Sequence, residues 1–366
     1  MNASGVLRRY TRHLLMPEIG VAGQHRLASA RVLVVGSGGL GSPVLQYLAA
    51  AGIGRIGIVD DDAVDETNLQ RQTIFTTADI GRPKVRAAAE FIAALNPAVA
   101  VDAIPLRFAS ANAMELTALY DVVVDCTDRF STRYLINDAC KLAGKPDVYA
   151  SIFRFDGQVS VFGYEDGPCY RCLYPRAPAP NSVPTCAEGG VLGVLPGIVG
   201  AWQANEVLKI ILRIGQVLRG RLLVVDSLGA QTRSIAFERD PDCELCGRHP
   251  SITTAQTHEE TEANDVDDID PAELDAVLPH AMLLDVREPH ESVLGAIDGA
   301  IEIPASQLDD RLHELDSAQP YVVACRLGVK SRVAVERLRD AGFTRVRHLR
   351  GGLLAYAAVH DDRFSF

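Results

Sequence analysis

The stretch Val32-Leu-Val-Val35-Gly36-Ser-Gly38-Gly39-Leu-Gly41 narrows the folds open to this chain more than any other. A short β-branched run leads directly into Gly-x-Gly-x-x-Gly. Ser42–Ala51, rich in Leu and Ala and closed by Gly52, follows with the make-up of a helix. A second β-branched run, Ile56–Val59, completes a βαβ unit. Lys84–Leu95 reads as a helix stopped by Asn96-Pro97, and Val99–Ile104 and Val122–Asp125 read as strands. Gln158–Phe162 and Leu222–Val225 add strands, separated by a mobile Pro-rich loop (Pro175, Pro178, Pro180, Pro184) and a helix over Trp202–Ile211. This alternation predicts an α/β fold with a Rossmann-like, doubly wound, mostly parallel sheet.

A chain of 366 residues is long enough for about two domains. Its formal charge of −11 is uneven: Ser251–His280 holds nine acids and no Lys or Arg, so the other 336 residues carry only −2. Global acidity therefore says little about partners, and neither a nucleic-acid footprint nor a polybasic membrane patch is visible. The acidic, Thr-rich stretch reads as a solvated linker. Behind it, a helix over Pro271–Val277, strands over Ala281–Val286 and Tyr321–Ala324, and a helix over Ser331–Ala341 describe a smaller α/β domain. The predicted division is 1–248, a linker over 249–266, and 267–366. Met1–Met16 lacks the apolar core of a secretory signal, and the longest apolar run, Val191–Trp202, is broken by Gly and Pro. These features predict a cytoplasmic protein, in which eight cysteines serve metal binding or thiol chemistry rather than disulfides.

Gly36, Gly38, Gly39 and Gly41 let backbone N–H groups and a helix N-terminus hold phosphate oxygens, or they form a purely structural turn. Asp60 lies 19 residues beyond Gly41, where a carboxylate can accept ribose hydroxyl bonds. A dinucleotide oxidoreductase is the default reading of that pair. Asn68-Leu-Gln-Arg71-Gln and Gly81-Arg-Pro-Lys84 point elsewhere, because Arg71 and Lys84 suit a triphosphate undergoing substitution at phosphorus; the plain alternative is solvated surface cations. Asp128 closes Asp125-Cys-Thr-Asp128 at the carboxyl edge of the sheet, as a Mg²⁺ ligand or as the N-cap of a helix over Ser131–Cys140. Cys169-x-x-Cys172 and Cys243-x-x-Cys246 have the spacing of paired zinc knuckles, with a redox dithiol as the competing reading. Cys126 and Cys140, in apolar surroundings, read as core. Cys325-Arg326-Leu-Gly328-Val-Lys330-Ser331 sits between a strand and a helix, where a nest of N–H groups favours a thiolate or persulfide. Four residues separate Cys325 from Lys330, which disfavours phosphate-ester cleavage. Asp285 and Arg287 read as a structural ion pair.

Arg9-Tyr-Thr-Arg12-His, the glycine loop, Asn68–Gln72, Gly81–Lys84, Asp125–Asp128, Phe153–Gln158, Pro168–Cys172 and Pro184–Gly190 occur in this order. Over roughly residues 5–248 the set resembles the ubiquitin-activating-enzyme-like adenylyltransferases that activate sulfur carriers for molybdopterin synthase and the thiamine pathway. The resemblance implies that ATP adenylates the C-terminal Gly-Gly carboxylate of a small ubiquitin-like sulfur-carrier protein. Arg71, Lys84, Asp128 and Mg²⁺ would be the working groups, with Asn68 among the nucleotide-binding residues and a structural Zn²⁺ on Cys169, Cys172, Cys243 and Cys246. It also implies a homodimer in which Arg12 reaches the other subunit's site, and a thiol-transfer role for Cys186. Arg129 stands where the family commonly has Asn.

Residues 267–366 resemble a rhodanese, through the Cys325 loop, Leu284–Glu288 and Gly351-Gly352. Lys330 replaces the usual Arg and Ala296 the usual His. The fusion implies that a Cys325 persulfide, loaded from thiosulfate or by a cysteine desulfurase, converts the activated carrier to a thiocarboxylate. An NAD-dependent oxidoreductase and a non-catalytic carrier-binding scaffold are the alternatives.

Overall fold

The computed structural model describes residues 8–178, 189–256, 268–292 and 295–360. The described residues form two compact units, 8–178 with 189–256, and 268–292 with 295–360. Among them no helix is long and apolar enough to cross a membrane.

The first unit is built on an eight-stranded sheet ordered β3-β2-β1-β4-β5-β6-β7-β8. Its strands are β1 (Arg31–Val35), β2 (Arg55–Val59), β3 (Ala100–Ile104), β4 (Val122–Asp125), β5 (Asp147–Phe153), β6 (Asp156–Phe162), β7 (Arg221–Asp226) and β8 (Gln231–Ala236). β1 to β5 are parallel, as the βαβ pattern predicts. β6 to β8 run antiparallel, because the two residues between β5 and β6 allow only a hairpin and no crossover. Strands covered by helices on both faces need continuous apolar runs. Val32–Val35 and Val122–Val124 accordingly are buried throughout, with Val34 between Ile58 and Val124 in register.

The helix expected over Trp202–Ile211 extends over Leu195–Leu212. Pro196 sits in its first turn, where the missing N–H is harmless. Gly200 lets the helix approach its neighbour, Gly41–Ala51, so closely that a Cβ there would lie 2.5 Å from Pro43 Cγ. At Gly200, what looks like a helix breaker in the sequence is a contact in the fold.

The second unit holds a five-stranded parallel sheet ordered β11-β10-β12-β13-β9. Its strands are β9 (Asp268–Ile269), β10 (Met282–Asp285), β11 (Ile301–Glu302), β12 (Tyr321–Ala324) and β13 (Val346–Leu349). Helices Val329–Asp340 and Gly352–Val359 follow the two strands that meet at the Cys325 loop.

The buried carboxyls of the first unit include Asp125 at the end of β4 and Asp147 at the start of β5. Neither Asp125 Oδ2 nor Asp147 Oδ1 has a hydrogen-bond partner. Burial, reinforced by their mutual repulsion, pushes Asp147 well above the usual carboxylate range, and burial raises Asp125 as well. Between about pH 4 and the raised native value of Asp147, the folded chain keeps a proton that the unfolded chain has lost, so stability falls as pH rises through that window. Asp147→Asn removes that titration. Its urea midpoint should exceed that of the wild type at pH 8, and the difference should shrink toward pH 4; parallel curves at both pH values would contradict the burial argument.

Candidate functional site

The strand order reverses on either side of β1, and at the carboxyl ends of β1 and β4 a cleft of about 470 Å³ opens. Gly36, Gly38 and Gly39 line it, together with Asp60, Asn68, Arg71, Lys84 and Asp128. Gly36 has φ +91° and passes the β4 end so closely that a Cβ would sit 2.8 Å from the Cys126 carbonyl oxygen. Gly41 is not on the wall. Its Cβ would meet the Gly36 carbonyl oxygen at 2.2 Å, so its work is to let the loop fold back on itself.

Asp60 is anchored to the same loop. One carboxylate oxygen accepts from Ser37 N–H at 2.7 Å and Ser37 Oγ at 2.8 Å, and the other accepts from Asp62 N–H at 3.0 Å. The expected ribose acceptor is therefore also the brace of the glycine turn, and Ser37, an x of the motif, is a functional position that the pattern does not single out. Lys84 is buried, with Nζ 2.8 Å from the exposed Asp62 carboxylate. Arg71 Nη1 donates to the Thr67 carbonyl at 3.0 Å, which steadies the guanidinium on the cleft wall. Arg12 is exposed on the short helix Thr11–Leu14 and does not line the cleft of its own chain.

Asp128 caps no helix. Arg129 occupies the N-cap position of Phe130–Ala143 without a side-chain cap bond, and both side chains face the cleft. Asp125 grips Thr127, accepting from its N–H at 2.9 Å and its Oγ1 at 2.7 Å. Arg133 grips the same residue from the other side, donating from Nη2 to the Thr127 carbonyl at 3.0 Å, with its guanidinium over the rings of Phe130 and Tyr149. Arg133 also lines the cleft, and nothing in the linear pattern singles it out. Asp60, Asp61 and Asp62 bring carboxylate oxygens within 4.8 Å of one another at the same wall. Oxygen donors of this kind, with Asp128 uncommitted to a cap, fit a hard divalent cation such as Mg²⁺.

The four cysteines of the two knuckles converge. Cys169 Sγ lies 3.8 Å from Cys172 Sγ and 3.6 Å from Cys243 Sγ, and Cys172 Sγ lies 3.3 Å from Cys246 Sγ. Tetrahedral Zn–S bonds of about 2.3 Å place sulfurs roughly 3.8 Å apart, so the cluster fits zinc with its coordination closed by protein. The first knuckle is fastened to helix Phe130–Ala143: Tyr170 N–H donates to Asn137 Oδ1 at 2.7 Å, and Arg171 makes a two-pronged bond to the buried Asp138 at 2.8 and 2.7 Å. Cys126 and Cys140 are buried and their thiols are pushed upward by burial, in keeping with core roles, although Cys126 touches the cleft wall. Cys186 lies outside the described residues.

In the second unit, Cys325 directly follows β12 and its sulfur accepts from the N–H groups of Gly328 at 3.2 Å and Ser331 at 3.3 Å. Gly352 closes the loop from behind, where a Cβ would lie 2.4 Å from the Cys325 carbonyl oxygen. Lys330 turns to Glu291, Nζ to Oε2 2.6 Å. Glu291, absent from the linear motif, thus enters the site through tertiary packing. Arg287 and Asp285 form a buried pair at 2.6 Å, and Arg287 also donates to the Gly295 carbonyl at 2.7 Å, beside Ala296.

The ThiF family profile matches residues 10–245, and that of the rhodanese-like domain matches residues 270–359. A probable adenylyltransferase/sulfurtransferase MoeZ of Mycobacterium tuberculosis is 46% identical over 368 residues, covering 95% of this chain and 92% of that protein. A sulfur carrier protein adenylyltransferase of Thermus thermophilus is 52% identical over 250 residues, covering 67% and 92%. Among solved structures, E. coli MccB with ATP shares the fold with a TM-score of 0.56 at 24% identity, over 65% of this chain and 74% of that one. A family match across most of the chain, with relatives aligned almost end to end, leaves one assignment: this protein belongs to the ThiF family and has a rhodanese-like domain joined behind it.

Proposed function

We propose that this protein activates the C-terminal Gly-Gly carboxylate of a small ubiquitin-like sulfur carrier with ATP and then converts it to a thiocarboxylate. The observation that carries this reading is the cleft wall itself, where a glycine loop, Arg71, Lys84 and Asp128 surround a space about 470 Å³ in volume. The cations favour adenylyl transfer over hydride transfer, since charge grows at phosphorus rather than at a nicotinamide ring. The carrier's own carboxylate attacks the α-phosphate and pyrophosphate leaves, so the protein supplies position and charge rather than a nucleophile. Lys84 meets the phosphates by exchanging Asp62 for a phosphate oxygen. Asp128 would hold Mg²⁺, which offsets phosphate charge when bound.

In the division of labour the first unit, which continues past the expected boundary at 248 to bury Ala255 in its core, serves adenylation, and the unit from residue 268 onward serves sulfur transfer. Cys325 carries the persulfide, whose outer sulfur attacks the acyl adenylate and expels AMP; Cys186 receives the acyl or sulfur intermediate, and an external thiol cleaves the S–S bond, supplying the two electrons that release the thiocarboxylate. Arg12 serves the site of a second copy in a homodimer. The sulfur comes from thiosulfate or a cysteine desulfurase, the enzyme works in the cytoplasm, and molybdopterin and thiamine synthesis are the pathways the carrier chemistry fits.

Lys84→Ala should slow carrier-dependent ATP–pyrophosphate exchange by about 10²–10³-fold, and wild-type exchange in that variant would refute the charge assignment. Cys325→Ala should leave exchange intact while abolishing repeated thiocarboxylate formation, read as the oxygen-to-sulfur mass change of the carrier; undiminished turnover with every donor would exclude the relay. Replacing both Cys172 and Cys246 by Ser should remove zinc, measured by elemental analysis, and lower the Tm of the full chain. Unchanged metal content would remove these sulfurs from the site.

A further inference from the structure

Behind the sulfur loop lies a buried hydrogen-bond chain. His348 on β13 is 4% exposed and stands in register between Val323 on β12 and Asp268 on β9. Its Nδ1 lies 3.2 Å from Ser331 Oγ and its Nε2 3.4 Å from Arg332 Nη2. Asp268 and Arg332 are charged side chains beside the ring. They bond to each other at 3.1 Å, while the nearer Asp268 oxygen lies 3.7 Å from Nε2, beyond hydrogen-bond length.

A guanidinium only donates, so Nε2 must accept from Arg332. The proton of the neutral ring then sits on Nδ1 and is donated to Ser331 Oγ. The Ser331 hydroxyl in turn donates to the Gly328 carbonyl at 3.0 Å. Every bond in this series points the same way, from Arg332 through His348 and Ser331 to Gly328. Gly328 and Ser331 are the two residues whose N–H groups hold the Cys325 sulfur. The ring lies beside Gly328, where an added Cβ would come within 3.0 Å of His348 Cε1. One imidazole therefore backs both donors of the nest.

We propose that His348, held as the Nδ1–H tautomer by Arg332, is a positioning residue for sulfur transfer, and that through Ser331 it fixes the two N–H groups that stabilise the Cys325 thiolate or persulfide. The proposal rests on the reading of Cys325 as the sulfur carrier. A nest of backbone donors lowers the energy of an anion only while its donors stay aimed at one point. Here the loop glycine, at φ +91°, has no side chain of its own to hold it, and the clamp on its carbonyl supplies that restraint.

The test uses the full chain. With ¹⁵N-labelled histidine, the signal lost in His348→Asn should be that of an Nδ1-protonated neutral ring; an Nε2-protonated ring overturns the proposal. The second readout is the rate at which iodoacetamide alkylates Cys325 at pH 7, followed on the Cys325 peptide. His348→Leu and Ser331→Ala should each slow it by about tenfold, since hydrogen bonds to a charged sulfur are weakened. His348→Asn, whose amide N–H can replace the Nδ1 donor, should stay within about threefold of the wild type. Wild-type rates in both His348→Leu and Ser331→Ala, or a His348→Asn rate as slow as that of His348→Leu, would refute the clamp. ATP–pyrophosphate exchange and thermal melting identify a variant that has failed to fold, and Ser331→Ala keeps the test decisive if His348→Leu is lost. Persulfide loading of the wild-type chain is measured separately. Absence of loading would sink the sulfur-carrier reading while leaving the tautomer and the alkylation rates to judge the clamp.

Discussion

Two close backbone approaches shape the cleft of the first unit: Gly41 folds over the Gly36 carbonyl, and Gly36 passes the Cys126 carbonyl at the ends of two adjacent parallel strands. No side chain fits at either position, so a single methyl group would push β1 and β4 apart at the point where the cleft opens. The rest of that site hangs from these contacts. Asp60 reaches back to Ser37 and pins the turn, and the β4 end delivers Thr127 and Asp128 to the facing wall. A phosphate-binding loop must bring bare N–H groups close to a ligand, and glycine is what makes that approach sterically open.

The cysteine cluster and the cleft at the strand ends share a structural element, helix Phe130–Ala143. Its first turn follows Asp128, and its later residues Asn137 and Asp138 hold the Tyr170–Arg171 knuckle. The Arg171–Asp138 pair is buried, so breaking it would leave a charge without compensation, a cost of about 3–5 kcal/mol. A metal bound by the four sulfurs would therefore stiffen the helix that carries the cleft wall. This gives the cluster a bearing on the cleft without a chemical part in it.

In the second unit the same economy of contact appears around Cys325. Two N–H groups hold the sulfur, Gly352 closes on its carbonyl, and the loop cation Lys330 is turned to Glu291 rather than to the sulfur. The turn that bears Glu291 is itself fixed by the buried Arg287–Asp285 pair, which explains why a structural ion pair far along the sequence bears on the loop.

Local sequence determined the strands of β1, β2, β4 and β12, the helix after the glycine loop, the knuckle spacing and the turn at Cys325, because each depends on neighbours within a few residues: β-branched runs, glycine at strained turns, and ligands at fixed intervals. Tertiary structure decided the rest. Nothing in the spacing of Cys172 and Cys246 says that their sulfurs meet; that follows from the antiparallel turn of β6 to β8 and from the hold of Asn137 and Asp138 on the first knuckle. Gly200 looks like an interruption until Pro43, packed against it, shows why the helix there must be thin. Ser37, Arg133, Glu291 and His348 carry no motif, since each acquires its role from a partner distant in the chain or from a fold of the backbone. Short-range sterics are written in the order of residues, whereas the pairing of distant polar groups depends on which surfaces the buried apolar faces bring together, and that is settled only when the chain packs.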